Sequence, residues 1–219
     1  MSDERRTKPI NLDQSRATSF RELVLKHQSI YRIFRKLTGS SRVNREFIQK
    51  YVRPQHGETI LDLGCGPGDV CVLLPEVNYI GIDYSKSYID AARKRFGDRA
   101  RFICGDVSAL ESEQLGRIDA VIGMGVIHHL PDGGVISTLR KIRCLLSPGG
   151  RFVSYDPCFT NPQHPVARWI HRHDRGRFVR SDYEYERIVS EVFPSYKRHI
   201  RTDLCTVPAT VIIFECVIG

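Results

Sequence analysis

Asp62-Leu63-Gly64-Cys65-Gly66-Pro67-Gly68-Asp69 is the stretch whose reading decides how this chain folds. Ahead of the glycines, Thr59 to Cys65 reads as a short, apolar, buried strand. The alternate glycines then allow a sharp turn that residues with a side chain resist, and a short helix is expected to follow. A helix entered in this way points its first backbone N–H groups at a ligand. The spacing is G-x-G-x-G, at Gly64, Gly66 and Gly68, where dinucleotide-binding domains carry G-x-G-x-x-G. Taken alone, the turn fits either a nucleotide site or a purely structural strand-to-helix junction.

Strand and helix patterns alternate downstream. Val77 to Asp83, Ala100 to Asp106, Ile118 to Val126 and Arg151 to Tyr155 read as strands. Ser87 to Phe96 and Gly133 to Leu146 read as helices, the second stopped by Pro148-Gly149-Gly150. Such alternation predicts an α/β fold with a parallel sheet covered by helices on both faces. Upstream, residues 1–17 are polar and expected to form a flexible N-terminus. Apolar residues from Phe20 to Val52, broken at Thr38-Gly39-Ser40-Ser41, recur at helical spacing and predict two helices in front of the domain. Past the fifth strand, residues 157–195 are rich in Pro, Arg, His and Tyr, and strand-like runs follow at Tyr196 to Cys205 and Ala209 to Val217. Residues 18–219 are expected to form a single domain.

Composition narrows the classes. The 219 residues are 41% hydrophobic and 26% charged, values of an ordinary globular protein. No apolar run reaches the roughly 18 residues that span a bilayer, and Met1 to Asn11 lacks a signal-peptide core, so a cytoplasmic location with no membrane partner is expected. The seven cysteines are scattered without a Cys-x-x-Cys pair, which argues against a disulfide framework or a zinc site. His164, His171 and His173 lie close in sequence but lack a completing carboxylate, so no metal is expected. The net charge of +8 permits nucleic acid or anionic ligands as partners.

Several residues converge on the ends of the expected strands. Asp83 closes the second strand, where a carboxylate can accept hydrogen bonds from two ribose hydroxyls. Asp106 closes the third, in Cys104-Gly105-Asp106-Val107, and the fourth ends in Gly123-Met124-Gly125-Val126-Ile127-His128-His129-Leu130. Open α/β sheets bind ligands in the crevice at these ends. Any one such Asp is equally suited to capping a helix; together they mark one crevice.

With these residues in view, the sequence resembles the class I S-adenosylmethionine-dependent methyltransferases. Ile60 to Gly68 matches the family's first motif, Gly81-Ile82-Asp83-Tyr84-Ser85 is similar to the second, and Gly105-Asp106-Val107 to the third. Asp119 to Leu130 resembles the fourth-strand motif, and Leu145 to Phe152 the Pro-Gly-Gly hairpin, so the likeness spans roughly residues 43–156. It implies a Rossmann-like, seven-stranded, mostly parallel sheet whose last strand is antiparallel, with helices on both faces. It also implies S-adenosylmethionine as cofactor, bound by Asp62, Gly64, Cys65, Gly66, Gly68, Asp83, Tyr84, Asp106, Val107, Gly123, Met124 and His129. Among these, the glycines would meet the methionine moiety and ribose, Asp83 the ribose hydroxyls, and Asp106 with Val107 the adenine.

On the acceptor side, His128 and His129 are the candidates for a general base, since an imidazole titrates near neutrality. The family commonly carries such a His-His step to line the cofactor pocket, so that role stays open beside catalysis. Asp156 and Tyr155 are further candidates for the base. In the family the connection after strand five commonly holds acceptor-binding groups, which makes 157–195 an acceptor-binding insertion and 18–52 a helical lid. Arg168 to Arg180 packs five arginines and two histidines into thirteen residues. An arginine fork suits carboxylates and phosphates, so Arg172, Arg175, Arg177 and Arg180, with Tyr31 from the lid, are expected to bind an anionic small-molecule acceptor; a solvated basic helix is the competing reading. Methyl transfer to RNA or protein, or a catalytically silent cofactor-binding protein, are the alternatives. No aromatic-and-basic RNA-binding module is visible, and nucleic acid is not the expected partner. Neither the accepting atom nor the oligomeric state follows from these residues.

Overall fold

A computed structural model describes residues 40–110, 115–174 and 176–219. Tyr31, Arg175 and residues 1–39 of the expected N-terminus and lid lie outside them.

Eight strands form the framework: β1 (Thr59–Leu63), β2 (Asn78–Asp83), β3 (Arg101–Cys104), β4 (Ile118–Met124), β5 (Leu146–Phe159), β6 (Arg180–Ser181), β7 (Tyr196–Arg201) and β8 (Val211–Val217). The main sheet runs β3-β2-β1-β4-β5-β8-β7, and the short β6 pairs with β5. Strands β1 to β5 pair in parallel, while β8 is antiparallel to both β5 and β7. The expected mostly parallel sheet with an antiparallel last strand is therefore observed. Because β1 pairs with β2 on one side and β4 on the other, the chain reverses its winding there and opens a crevice beyond the strand ends.

Alternation along each strand sends side chains to two layers. Leu61, Leu63, Val121, Phe152, Ile212 and Phe214 pack on one face with helices α3 (Asp132–Leu145) and α5 (Asp182–Val192). Ile60, Ala120, Ile122, Val153 and Ile213 face the other side. There they meet α1 (Ser40–Phe47), which runs into a π-helical turn at Ile48–Val52. Helix α2 (Lys86–Phe96) covers Tyr79 and Phe102 near the β3 edge. A register shift between Ile118 and Ala120 lets both contribute to opposite layers despite even spacing.

Two segments are placed differently from the expectation. Residues 40–52 are not a cover: Phe47, Ile48 and Val52 are fully buried in the core, and Arg201 of β7 ties Tyr51 Oη (2.6 Å) and Glu46 (2.7 Å) to the sheet edge. The segment 157–195 is only partly an insertion. Strand β5 runs on to Phe159 through pairing with β8 and β6, and α5 buries Tyr185, Ile188, Val189 and Val192. Between them lies α4 (Pro165–Arg172), whose N-cap is His164.

Candidate active site

The glycine turn leaves β1 with Gly64, Gly66 and Gly68 at φ +63°, +55° and +78°, a left-handed backbone that favours glycine. Each position is constrained differently. A Cβ at Gly68 would lie 2.6 Å from the Phe96 ring, and one at Gly64 3.0 Å from Val126 Cγ2, whereas one at Gly66 would meet nothing within 4 Å. The turn is thus packed from below at Gly68 and open above Gly66. In place of the expected regular helix, a single 3-10 turn follows, at Cys71–Leu73.

The Cys65 side chain corrects one expectation. It is buried beneath the turn against Gly81, where a Cβ would come within 2.7 Å of its Sγ, and burial raises its thiol far above the ordinary value. Only its backbone remains at the turn. Asp62 is likewise buried and accepts a 2.5 Å hydrogen bond from Tyr79 Oη; burial lifts its carboxyl to about 7.

Register brings the other strand ends level with this turn. Leu63 pairs with Ile82 and Gly123, Asp83 with Cys104, and Met124 with Tyr155. Asp83 accepts the Gly66 N–H at 3.0 Å and the Ser85 N–H at 2.7 Å, so one carboxylate joins the turn to the start of α2. Asp106 caps the 3-10 turn Val107–Ala109 through the Ser108 N–H (2.6 Å) and accepts a hydrogen bond from the exposed Tyr84 hydroxyl. Gly125, at φ +67°, donates to Tyr155 O at 2.6 Å and closes the gap between β4 and β5.

The ends of β4 and β5 hold a charged arrangement. His128 is 5% exposed; its Nδ1 lies 2.7 Å from Asp156 Oδ1 and its Nε2 3.4 Å from Asp174 Oδ1. Burial alone would pull the imidazole down, but the hydrogen bonds and charges of the two carboxylates hold it at about 9. Both nitrogens of His128 are thus engaged by carboxylates, an arrangement that favours the imidazolium over a free base. His129, its ring centroid 4.1 Å from that of His128, is exposed beside it.

Arg180 is a second correction. It is buried, and all five donors are directed inward: Nε and Nη2 to Asp132 Oδ1 (2.9 and 2.8 Å), Nη1 to Ile127 O (3.3 Å) and Phe178 O (2.9 Å), and Nη2 to Leu130 O (2.7 Å). It binds the loop after β4, not a ligand. Arg172 and Arg177 are exposed. Asp174 and Asp132, which sequence reasoning did not single out, complete these networks; the only signal for Asp174 is an acidic residue within a basic run.

Comparison with known proteins follows this geometry. The family described as "Methyltransferase domain" matches residues 60–150, which run from β1 into the first residues of β5. The ubiquinone biosynthesis O-methyltransferase of Bordetella avium is 28% identical over 70% of this chain, which spans 65% of that protein's length. A 2-phytyl-1,4-naphtoquinone methyltransferase of Synechococcus elongatus is 26% identical over 74% of this chain and 76% of its own. Among solved structures, a Haemonchus contortus phosphoethanolamine N-methyltransferase 2 with S-adenosylhomocysteine superposes with a TM-score of 0.63 at 14% identity, covering 80% of this chain and 52% of that one. The Pyrococcus horikoshii protein PH0226 gives 0.63 at 20% identity, covering 86% and 99%. Sheet order, glycine turn and strand-end aspartates agree with these matches: residues 60–150 match a methyltransferase domain, and the chain has the fold of the class I S-adenosylmethionine-dependent methyltransferases.

Proposed function

We propose that this chain transfers the methyl group of S-adenosylmethionine to a small-molecule acceptor. The observation that carries the reading is the convergence, at one end of the sheet, of the left-handed glycine turn with Asp83 and Asp106. These groups fit the cofactor's chemistry. The open space over Gly66 admits close approach of a ligand to backbone, and Asp83 offers two oxygens to a vicinal diol. Asp106, Val107 and Tyr84 would hold the adenine, and Gly123 with Met124 would face the methionine ammonium.

The sulfonium supplies an activated methyl, so the chain's task is alignment and exclusion of water. His129 is the exposed imidazole next to this crevice and is the candidate to accept the acceptor's proton. Relatives named for quinone biosynthesis support a ring-bearing small molecule as acceptor. Exposed Arg172 and Arg177 support an anionic group on it.

Calorimetric titration with S-adenosylhomocysteine tests the cofactor reading. The wild-type chain should bind it, and Asp83→Asn should bind about 10- to 100-fold more weakly, the worth of hydrogen bonds to a charged group. Absence of binding by the wild type, or equal affinity in both, would refute the assignment. Arg172→Ala and Arg177→Ala should raise the KM for an anionic acceptor while changing stability by less than about 0.5 kcal/mol.

A further inference from the structure

The segment after α4 returns over the end of β4 and is fastened there by contacts that no cofactor motif requires. Phe178 N–H donates to His128 O at 3.1 Å. Gly176 N–H donates to Asp174 Oδ1 at 2.7 Å, and that same oxygen faces His128 Nε2 at 3.4 Å. Gly176 itself lies flat against the imidazole: a Cβ there would overlap the ring's Cδ2. On the opposite side, Asp156 of β5 holds Nδ1 and also accepts the His128 backbone N–H at 3.1 Å. The ring is thus gripped between the fifth strand and the returning segment, with the His129 ring tilted against it, centroids 4.1 Å apart.

We propose that Asp174 and Gly176 are positioning residues: they latch the segment after α4 onto His128 and thereby hold His129 and the β4 loop in their working arrangement at the acceptor side of the crevice. This rests on the methyl-transfer reading of the crevice. Neither residue touches the reacting atoms; both act through His128. Three features make the latch more than incidental packing. The contact is an ion pair of 3.4 Å between a buried imidazole and a partly buried carboxylate, where charges are less screened than in water. The alpha carbon of Gly176 is admitted only because no side chain is present. Arg180, two residues past Phe178, fixes the same loop a second time at Ile127 O and Leu130 O.

The groups facing His128 are Asp156 from β5, Asp174 from the returning segment, His129 beside it, and His171 of α4, which feels its charge. Burial pushes Asp174 up, but the imidazolium outweighs it and holds that carboxyl below the usual carboxylate range. The imidazolium and the two carboxylates therefore hold one another ionised, and the latch loosens once His128 loses its proton.

The test compares the full-length wild type with Asp174→Asn and Gly176→Ala, which attack the same contact by charge and by shape. In histidine-selective NMR the wild-type His128 should titrate near 9, and in Asp174→Asn its midpoint should fall toward 6.5. In both variants the close proton contacts between the His128 and His129 rings should be lost or weakened, and tryptic cleavage after Arg177 should accelerate about tenfold or more as the segment opens. S-adenosylhomocysteine affinity should stay within about threefold of wild type, since neither Asp174 nor Gly176 is among the groups assigned to the cofactor. A wild-type His128 titrating near its ordinary value overturns the proposal, as do unchanged ring contacts and cleavage in both variants. If the wild type binds no S-adenosylhomocysteine, the functional reading fails while NMR and proteolysis still judge the latch.

Discussion

At the ends of β1, β2 and β3 the crevice is shaped by backbone: three left-handed glycines, N–H groups taken by Asp83, and a 3-10 turn capped by Asp106. At the ends of β4 and β5 it is shaped by side chains drawn from distant parts of the chain. Asp156, Asp174 and Arg180 reach from 28 to 53 residues away in the chain to meet the loop at 127–132. On the proposed function the first half takes a ligand whose shape is fixed, so a local motif suffices. On the same reading the second half suits one acceptor, and its parts are assembled by tertiary contacts that can change while the donor half stays the same.

The sharpest way to break this contrast is at Gly68. Alanine there must adopt φ +78° and place its Cβ 2.6 Å from Phe96, itself packed on Phe102. Gly68→Ala should cost about 2–5 kcal/mol, the sum of a left-handed backbone and overpacking, read from urea unfolding. A loss under about 1 kcal/mol would show that the ring yields freely and that the donor turn is not rigidly specified.

Arg180→Met probes the other half with a smaller effect. It strips donors from three carbonyls and from Asp132, which is 54% exposed and so regains water. Stability should drop by about 2–3 kcal/mol, with S-adenosylhomocysteine affinity nearly kept. An equal loss of cofactor affinity would mean that the two halves are one cooperative unit.

The smallest change is in pH dependence. His128 has a folded-state pKa of about 9, above its unfolded value of 6.5. Its charge therefore adds stability that is complete below 6.5 and is lost as pH rises through about 9. The stability gap between wild type and His128→Gln should narrow between pH 7 and 10, by denaturant titration at each pH. A gap that stays constant would mean that the imidazole is neutral in the fold.

Much of the donor half was legible because its signals are local. Gly64, Gly66 and Gly68 follow a strand within a few residues, Asp83 ends β2, and Asp106 lies two residues past the end of β3. The acceptor half misled for the opposite reason. Arg180 looks like Arg177 in sequence, yet it is buried with every donor engaged while Arg177 is exposed. His128 and His129 are neighbours of one type, and only their surroundings make the first an imidazolium held by two carboxylates. Residues 40–52 show amphipathic spacing that suits a lid as well as a core helix, and burial of Phe47 and Val52 chose the core.

The sequence by itself determined the alternation of strands and helices, the glycine turn and the strand-end carboxylates, because each depends on periodicity or backbone freedom within a short window. The tertiary structure decided which of the charged residues beyond β5 are structural and which face outward. Charge and burial there depend on partners far away in the chain, and an ionised group's state follows from what surrounds it.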